Sequence, residues 1–356
     1  LESMLLSRES MKERVHSALC HWGLEKLRTS SAQELSGGER KRVLLAVMEA
    51  IDARLWLLDE AFDDLDEHWR ITLKQMIKET DKTVLVFASR YLSTFDDLFD
   101  RMLLLEDKKI LSYPSQDLLS RFAFLCKDTL PNPLEHQELD IQNKHLLTVD
   151  TLRIERKRIS TISIGSFHLD VDDFSLQSGE LVTLVAPNGS GKSSFSRILC
   201  GLDDPLHGLI LFDGQPLTSK ELSRKIGYLF QNPDLQIFLP TVADELSWSM
   251  HHLGRSCQEA ITLCAELFEL DLDDTPTTMS YPQRKALQAA VYYLLDRPFY
   301  ILDELDSALT YHSALSIIAR LRRNGAGILL ITHDRQFASK VSQRCYTISE
   351  GRLHRV

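Results

Sequence analysis

Long apolar runs are missing from this sequence. No stretch reaches the roughly 20 consecutive apolar residues that a membrane-spanning helix needs, and the first residues show no charged head followed by an apolar signal core. Any association with a membrane is therefore expected to run through a partner. Positive charge is also short, since 41 lysines and arginines face 51 aspartates and glutamates, for a formal charge of -10. That balance argues against nonspecific wrapping of nucleic acid, which depends on lysine and arginine releasing condensed counterions. The six cysteines (Cys20, Cys126, Cys200, Cys257, Cys264, Cys345) form no CxxC pair and no zinc-spaced cluster with histidine. A reducing cytosol is the simplest compartment for them. Hydrophobic residues are present in ordinary amount, 44% of 356, enough for two domains with their own cores and against disorder as the main state.

What the sequence does have is a repeat. Ser36 pairs with Ser280, Asp59 with Asp303 and Ser89 with His333, all at the same spacing of 244 residues. Between these anchors LSGGERKRVLLAV, from Leu35, lies over MSYPQRKALQAAV, from Met279, and LLDEAFDDLD over ILDELDSALT. One constant offset implies no insertion between the copies. Carried to the N-terminus, it sets Leu1 opposite Glu245, so the first copy lacks the counterpart of 147–244. We expect an N-terminal truncation of roughly 100 residues, because a compact α/β domain does not lack its first strands; a natural half-domain is the alternative. LLLEDKKILSYP reads as a closing strand pair under the same offset, over ISEGRLHRV, and DTLPNPLEHQELDIQNK, from Asp128, as linker. The expected division is 1–112 for the C-terminal part of a first domain, 113–144 for its end and the linker, and 145–356 for a complete second domain.

In the second copy, LVTLV from Leu181 is a strand-like run, followed by APNGSGKSS and the helix-like FSRILCG. Strand, glycine loop and helix form the setting in which backbone N–H groups and a helix N-terminus surround phosphate oxygens. Asn188, Gly189, Ser190, Gly191, Lys192, Ser193 and Ser194 are the candidate phosphate-binding residues, with Lys192 neutralising charge and Ser193 holding Mg²⁺. Ala186 stands where the usual pattern opens with glycine. The run FYIL from Phe299 ends in Asp303 and Glu304, two carboxylates at the edge where parallel α/β sheets bind ligands. Asp303 is the candidate Mg²⁺ residue through water, and Glu304 the candidate to orient or deprotonate an attacking water. GILLIT from Gly327 leads to His333, which could contact the terminal phosphate or that water.

LSGGER, GSGKSS, LLDE, ILDE and THD together resemble the ABC ATPase superfamily over nearly the whole chain. The resemblance implies an α/β P-loop NTPase fold of the ABC nucleotide-binding type, with a parallel-sheet core, an antiparallel β subdomain and an α-helical signature subdomain. Here it is a tandem repeat with an incomplete first copy. It also implies ATP and Mg²⁺ as ligands, intramolecular pairing of the tandem domains, and a composite site in which the P-loop of one domain faces the LSGGQ-type signature of the other. Ser36 and Glu39 form a capping box, opening a helix whose apolar side is read as Val43, Val47 and Ile51. In the family role, Ser36, Gly37 and Gly38 meet the γ-phosphate. The second copy has Ser280, Tyr281, Pro282 and Gln283 instead. Proline removes an N–H, and loss of one donor to a transition-state oxygen costs about 3 kcal/mol, about a hundredfold in rate. With Ser89 in place of His333, we expect one competent and one degenerate site. The D-loops differ as well, FDDLD against SALT, and Glu155 and Arg156 stand where an adenine-stacking aromatic is expected, which leaves base selectivity open.

QNPDLQIF followed by TVADEL is similar to ATPases of energy-coupling factor transporters for vitamins and transition metals. That likeness implies Gln231 as a Mg²⁺ and coupling residue, a transmembrane coupling protein and a substrate-binding membrane subunit as partners, and a peripheral place on the cytoplasmic face of the membrane. Ile237, Phe238 and Leu239 either contribute to that contact or pack locally. A soluble tandem ATPase working as a nucleotide-driven clamp on ribosomes or DNA is the alternative function, although no zinc cysteines, basic arm or long charged linker support it. An inactive fragment is a third reading.

Overall fold

The computed structural model describes residues 7–31, 35, 37–62, 65–88, 95, 97–106, 108–114, 144–159, 164–187, 189–252, 254, 258–307, 309–342 and 344–356. The chain forms two compact units, Leu1–Leu130 with Arg158–Gly165, and Pro131–Lys157 with Ser166–Val356. Among the described residues no helix is long and apolar enough to cross a membrane. Most of the segment read as linker lies outside the described residues.

Unit 1 contains helices α1 (Arg8–His21), α2 (Gly37–Ile51) and α3 (Glu67–Glu79), a parallel strand pair β1 (Leu55–Asp59) and β2 (Thr83–Phe87), and an antiparallel pair β3 (Arg101–Glu106) and β4 (Lys109–Pro114). Ser7 and Asp66 cap α1 and α3 by accepting from backbone N–H groups of Ser10 and Trp69, satisfying donors that a helix start leaves open. The core gathers Ala18, Trp22, Leu45, Ala46, Ala50, Leu58, Phe62 and Leu73. On α2 the buried residues are Gly38, Leu45, Ala46 and Ala50, while Val47 and Ile51 are 50% and 40% exposed. Val43 packs against this core as expected, and the expected apolar side is corrected at Val47 and Ile51. VLLAVMEAI is apolar nearly all round, so its periodicity does not select a face, and the small Ala46 and Ala50 are the residues that join Ala18 of α1 in the core.

Unit 2 is built on one mixed sheet, two strands of which have tips at 158–159 and 164–165 that group with unit 1. Its strands are β5 (Leu146–Ile159), β6 (Ile164–Val171), β7 (Phe174–Gln177), β8 (Leu181–Leu184), β9 (His207–Phe212), β10 (Gln215–Pro216), β11 (Ile226–Leu229), β12 (Phe299–Asp303), β13 (Gly327–Ile331), β14 (Arg344–Ser349) and β15 (Arg352–Arg355). They run in the order β10-β9-β5-β6-β15-β14-β8-β13-β12-β11, with β7 on β5. The run β14-β8-β13-β12-β11 is parallel, whereas β5 pairs antiparallel with β7 and β9. Every residue of β8, β11, β12 and β13 is buried. Strands covered on both faces read as unbroken apolar runs for this reason. The helices are α4 (Lys192–Leu199), α5 (Ser219–Lys225), α6 (Val242–His252), α7 (Gln258–Leu267), α8 (Tyr281–Leu295), α9 (Tyr311–Arg322) and α10 (Arg335–Val341). α8 begins at a capping box of Ser280 and Gln283 with proline in its first turn, and ends at Asp296 in the left-handed region.

Shifted by 244, the bounds of α2, β1 and β2 become those of α8, β12 and β13. Glu60 and Glu304 hold the same left-handed backbone, φ 46° and 48°. In the closing hairpins, Lys108 and Gly351 hold the matching positive-φ position at a spacing of 243. A single-residue difference therefore intervenes after β2, where the constant offset allowed none. The units also differ in what surrounds β1 and β2. In unit 2, β8 lies between β13 and β14, but among the described residues of unit 1 the pairs β1-β2 and β3-β4 are separate sheets. Leu55, Leu57, Leu85 and Phe87 are 37–62% exposed, whereas Phe299, Ile301, Leu329 and Ile331 at the matching positions are buried.

Candidate functional site

The C-terminal ends of β8, β12 and β13 converge because the three strands are parallel neighbours. From β8 the chain enters the glycine loop and then α4, with Gly189 and Gly191 at φ 76° and 106°. This backbone region suits glycine. A Cβ on Gly191 would also overlap the Phe167 ring, so a side chain there would be strained and would have to displace that ring. Lys192, 6% exposed, donates from Nζ to the carbonyls of Ala186 at 2.8 Å and Pro187 at 3.1 Å. Ser190 Oγ is buried and has no hydrogen-bond partner among the described residues. A buried hydroxyl in a loop of left-handed glycines, beside a lysine and a helix start, fits a polyanionic phosphate group. Ser193 and Ser194 occupy the first turn of α4, Ser193 exposed and Ser194 half-buried.

Asp303 ends β12, and Glu304 follows it. Tyr228 of β11 donates its hydroxyl to Asp303 Oδ2 at 2.7 Å. Burial, with the neighbouring Glu304 charge, pushes Asp303 up to about 6. Burial acts in the same upward direction on Glu304, but the His333 hydrogen bond and charge, with Lys192 and Lys285, hold it below the usual carboxylate range. Both Glu304 oxygens are engaged. Oε1 lies 2.6 Å from His333 Nε2, and Oε2 accepts from Gln231 Nε2 at 2.7 Å. An ionised carboxylate only accepts, so His333 Nε2 carries the proton in this contact, and the same nitrogen lies 3.2 Å from Lys192 Nζ. Two adjacent buried carboxylates suit a hard divalent cation, which takes oxygen ligands and keeps several waters. Among the described residues no group of three or more His, Cys, Asp or Glu forms a metal cage.

Lys192, Gln231, Asp303, Glu304 and His333 thus gather around one edge of the unit 2 sheet. Gly37, Gly38 and Glu39 open α2 in unit 1; Ser36, Asn188, Ser89, Asp63, Asp64 and Ala308 lie outside the described residues. Glu155 is an exposed residue of β5. Of the apolar trio near Gln231, only Phe238 is strongly exposed, at 77%, with Ile237 and Leu239 half-buried and Leu235 and Trp248 exposed nearby in sequence. Sequence reasoning missed Tyr228, Phe167 and Lys285. Tyr228 had a faint signal, a hydroxyl in an otherwise apolar strand, whereas Phe167 and Lys285 reach the site only through tertiary packing.

Comparison with known proteins agrees with this geometry. The sequence pattern described as ABC transporter matches residues 2–63 and 169–307, more than half of the chain. A Treponema denticola protein named as an ABC transporter ATP-binding protein is 28% identical over 99% of this chain and 74% of its own length. A Bacillus subtilis protein named as the HMP/thiamine import ATP-binding protein YkoD is 28% identical over 99% of this chain and 71% of its own length. Among solved structures, RNase-L Inhibitor has a similar fold, with TM-score 0.64 and 23% identity over 97% of this chain and 70% of that one. The family-pattern match over more than half of the chain, together with the unit 2 sheet edge that bears a phosphate loop and two carboxylates, places the chain in the ABC transporter family as an ATPase of tandem-like architecture.

Proposed function

We propose that this protein is the ATP-hydrolysing component of an importer of the energy-coupling factor type, driving uptake of a vitamin or metal ion. The observation that supports this reading is the Gln231 segment, whose QNPDLQIF and TVADEL resemble that class, taken with the likeness to a protein named for HMP/thiamine import. Its partners are a transmembrane coupling protein and a substrate-binding membrane subunit, and its place is the cytoplasmic face of the membrane. Phe238, Leu235 and Trp248 offer apolar surface for the coupling protein. Expressed with a tag in cells that make the transporter, the chain is expected to sediment with membranes and to retain the coupling protein after detergent extraction. Recovery with ribosomes or DNA, and not with membranes, would instead establish the soluble clamp.

In this reading residues 1–112 and 145–356 are the paired domains, and Lys192 and the glycine-loop N–H groups hold the ATP phosphates. Ser193, Gln231 and Asp303 are the residues that would hold Mg²⁺, which would supply neutralisation of phosphate charge there. Glu304 takes or orients the proton of the attacking water, and His333 fixes the Glu304 carboxylate. Ser36, Gly37, Gly38 and Glu39 present the signature to that nucleotide, with the positive end of α2 behind them.

Ser280 performs a different task. Its hydroxyl donates to Gln283 Oε1 at 2.8 Å and accepts from Gln283 N at 3.4 Å, so it caps α8. Ser280→Ala is expected to lower stability by about 1 kcal/mol with little effect on turnover, whereas Ser36→Ala in the complete transporter lowers turnover about a hundredfold. Steady-state ATPase assays with thermal melts separate the two. Equal losses of turnover would reject the division into one competent and one degenerate site.

A further inference from the structure

Four residues of α8, at positions i, i+3, i+4 and i+7, fasten one short segment, 230–236. Tyr281 donates its hydroxyl to the Gln231 carbonyl at 2.7 Å. Arg284 pairs with Asp234 at 2.7 Å. Lys285, fully buried, donates to the Phe230 carbonyl at 2.8 Å. Gln288 reaches the same carbonyl at 3.2 Å and also bonds Gln236. This spacing puts all four on one helix face, so two consecutive carbonyls, those of Phe230 and Gln231, are held by a single rigid element. The Gln231 side chain leaves this fixed backbone to reach Glu304.

The matching positions of α2 in unit 1 are Gly37, Arg40, Lys41 and Leu44. Leu44 is 66% exposed, and neither glycine nor leucine can supply a polar side-chain group. The stripe therefore belongs to α8 alone. Its first member occupies the place where unit 1 carries a signature glycine.

We propose that Tyr281 is a positioning residue for the ATP site of its own unit, its hydroxyl fixing the Gln231 backbone so that the Gln231 amide points at the carboxylate edge where Mg²⁺ is held. The replacement of glycine by tyrosine thus does more than remove a phosphate donor from one face of the protein; it braces the opposite partner of the chemistry. The inference rests on the reading of Gln231 and Asp303 as residues that hold Mg²⁺.

The test is nucleotide binding by the full chain, using a fluorescent ATP analogue in excess Mg²⁺ and again in EDTA, with the ratio of the two dissociation constants as the readout. In Tyr281→Phe, which removes one oxygen, the gain in affinity conferred by Mg²⁺ is expected to shrink about three- to tenfold, the worth of one ordinary hydrogen bond, with the affinity in EDTA unchanged. Tyr300→Phe is the control, because it removes another buried tyrosine hydroxyl, bonded to the Tyr292 carbonyl at 3.0 Å, without touching Gln231. That ratio should not move. Amide exchange over 226–239 is expected to quicken in Tyr281→Phe only. An unchanged Mg²⁺ ratio in Tyr281→Phe, unchanged exchange, or an equal change in both variants overturns the brace. Equal affinity with and without Mg²⁺ in the unaltered chain overturns the metal-holding reading, and the brace falls with it.

Discussion

Replacing Lys192 by alanine is expected to abolish productive ATP binding. The ammonium group is the buried cation of the glycine loop, at hydrogen-bond distance from Ala186 O and Pro187 O and 3.2 Å from His333 Nε2. Charge-assisted hydrogen bonds contribute about 1.5–3 kcal/mol each, so losing one to phosphate weakens affinity about ten- to a hundredfold, and losing two about a hundredfold or more. The variant also leaves two loop carbonyls without their lysine, so circular dichroism and a melting curve belong beside the titration. A folded Lys192→Ala protein that binds ATP within about threefold of the unaltered chain would remove this loop from the site.

Glu304→Gln, made in the complete transporter, is expected to bind ATP normally and to hydrolyse it slowly. The amide preserves shape but cannot accept a proton, and proton transfer by a positioned group contributes about 10²- to 10⁴-fold in rate. It also faces the Gln231 amide donor with a group that is no longer anionic, so one of the two contacts that now fix Glu304, to Gln231 or to His333, weakens. Single-turnover hydrolysis and equilibrium binding, measured on the same preparation, separate the two effects. Near-normal turnover would reject Glu304 as the group that handles the water.

Both predictions rest on residues that were legible in the sequence, and the reason is geometric. Parallel strands buried on both faces are written as continuous apolar runs, and the first polar residues after each run fall at the shared sheet edge. VTLV, YILD and ILLI therefore announced where Lys192, Asp303 and His333 would meet. The capping box at Ser280 and Gln283 was written in the same residues that were read only as a departure from the signature. Other features could not be read this way. Lys285 sits on a helix of ordinary composition and becomes a site residue only because α8 packs over the segment after β11. Tyr228 meets Asp303 through the lateral pairing of β11 with β12, which no local spacing encodes. The burial of α2 was misread because alanine, not valine, permits close approach of a second helix. The hairpin shift escaped notice because charged and apolar residues alternate too loosely there to fix a register.

Glu304 occupies a backbone conformation that glycine would adopt with less strain, at φ 48°, held by its own N–H donating to the Ile331 carbonyl at 2.9 Å. A left-handed non-glycine residue costs about 1–2 kcal/mol, so at this one position the most comfortable residue for folding and the useful one for chemistry are different. The sheet edge tolerates the discomfort because β12 and β13 lock the flanking peptides. Stabilising this protein by relaxing its tight turns would therefore be self-defeating here, since the kink is where the carboxylate leaves the strand to meet His333 and Gln231.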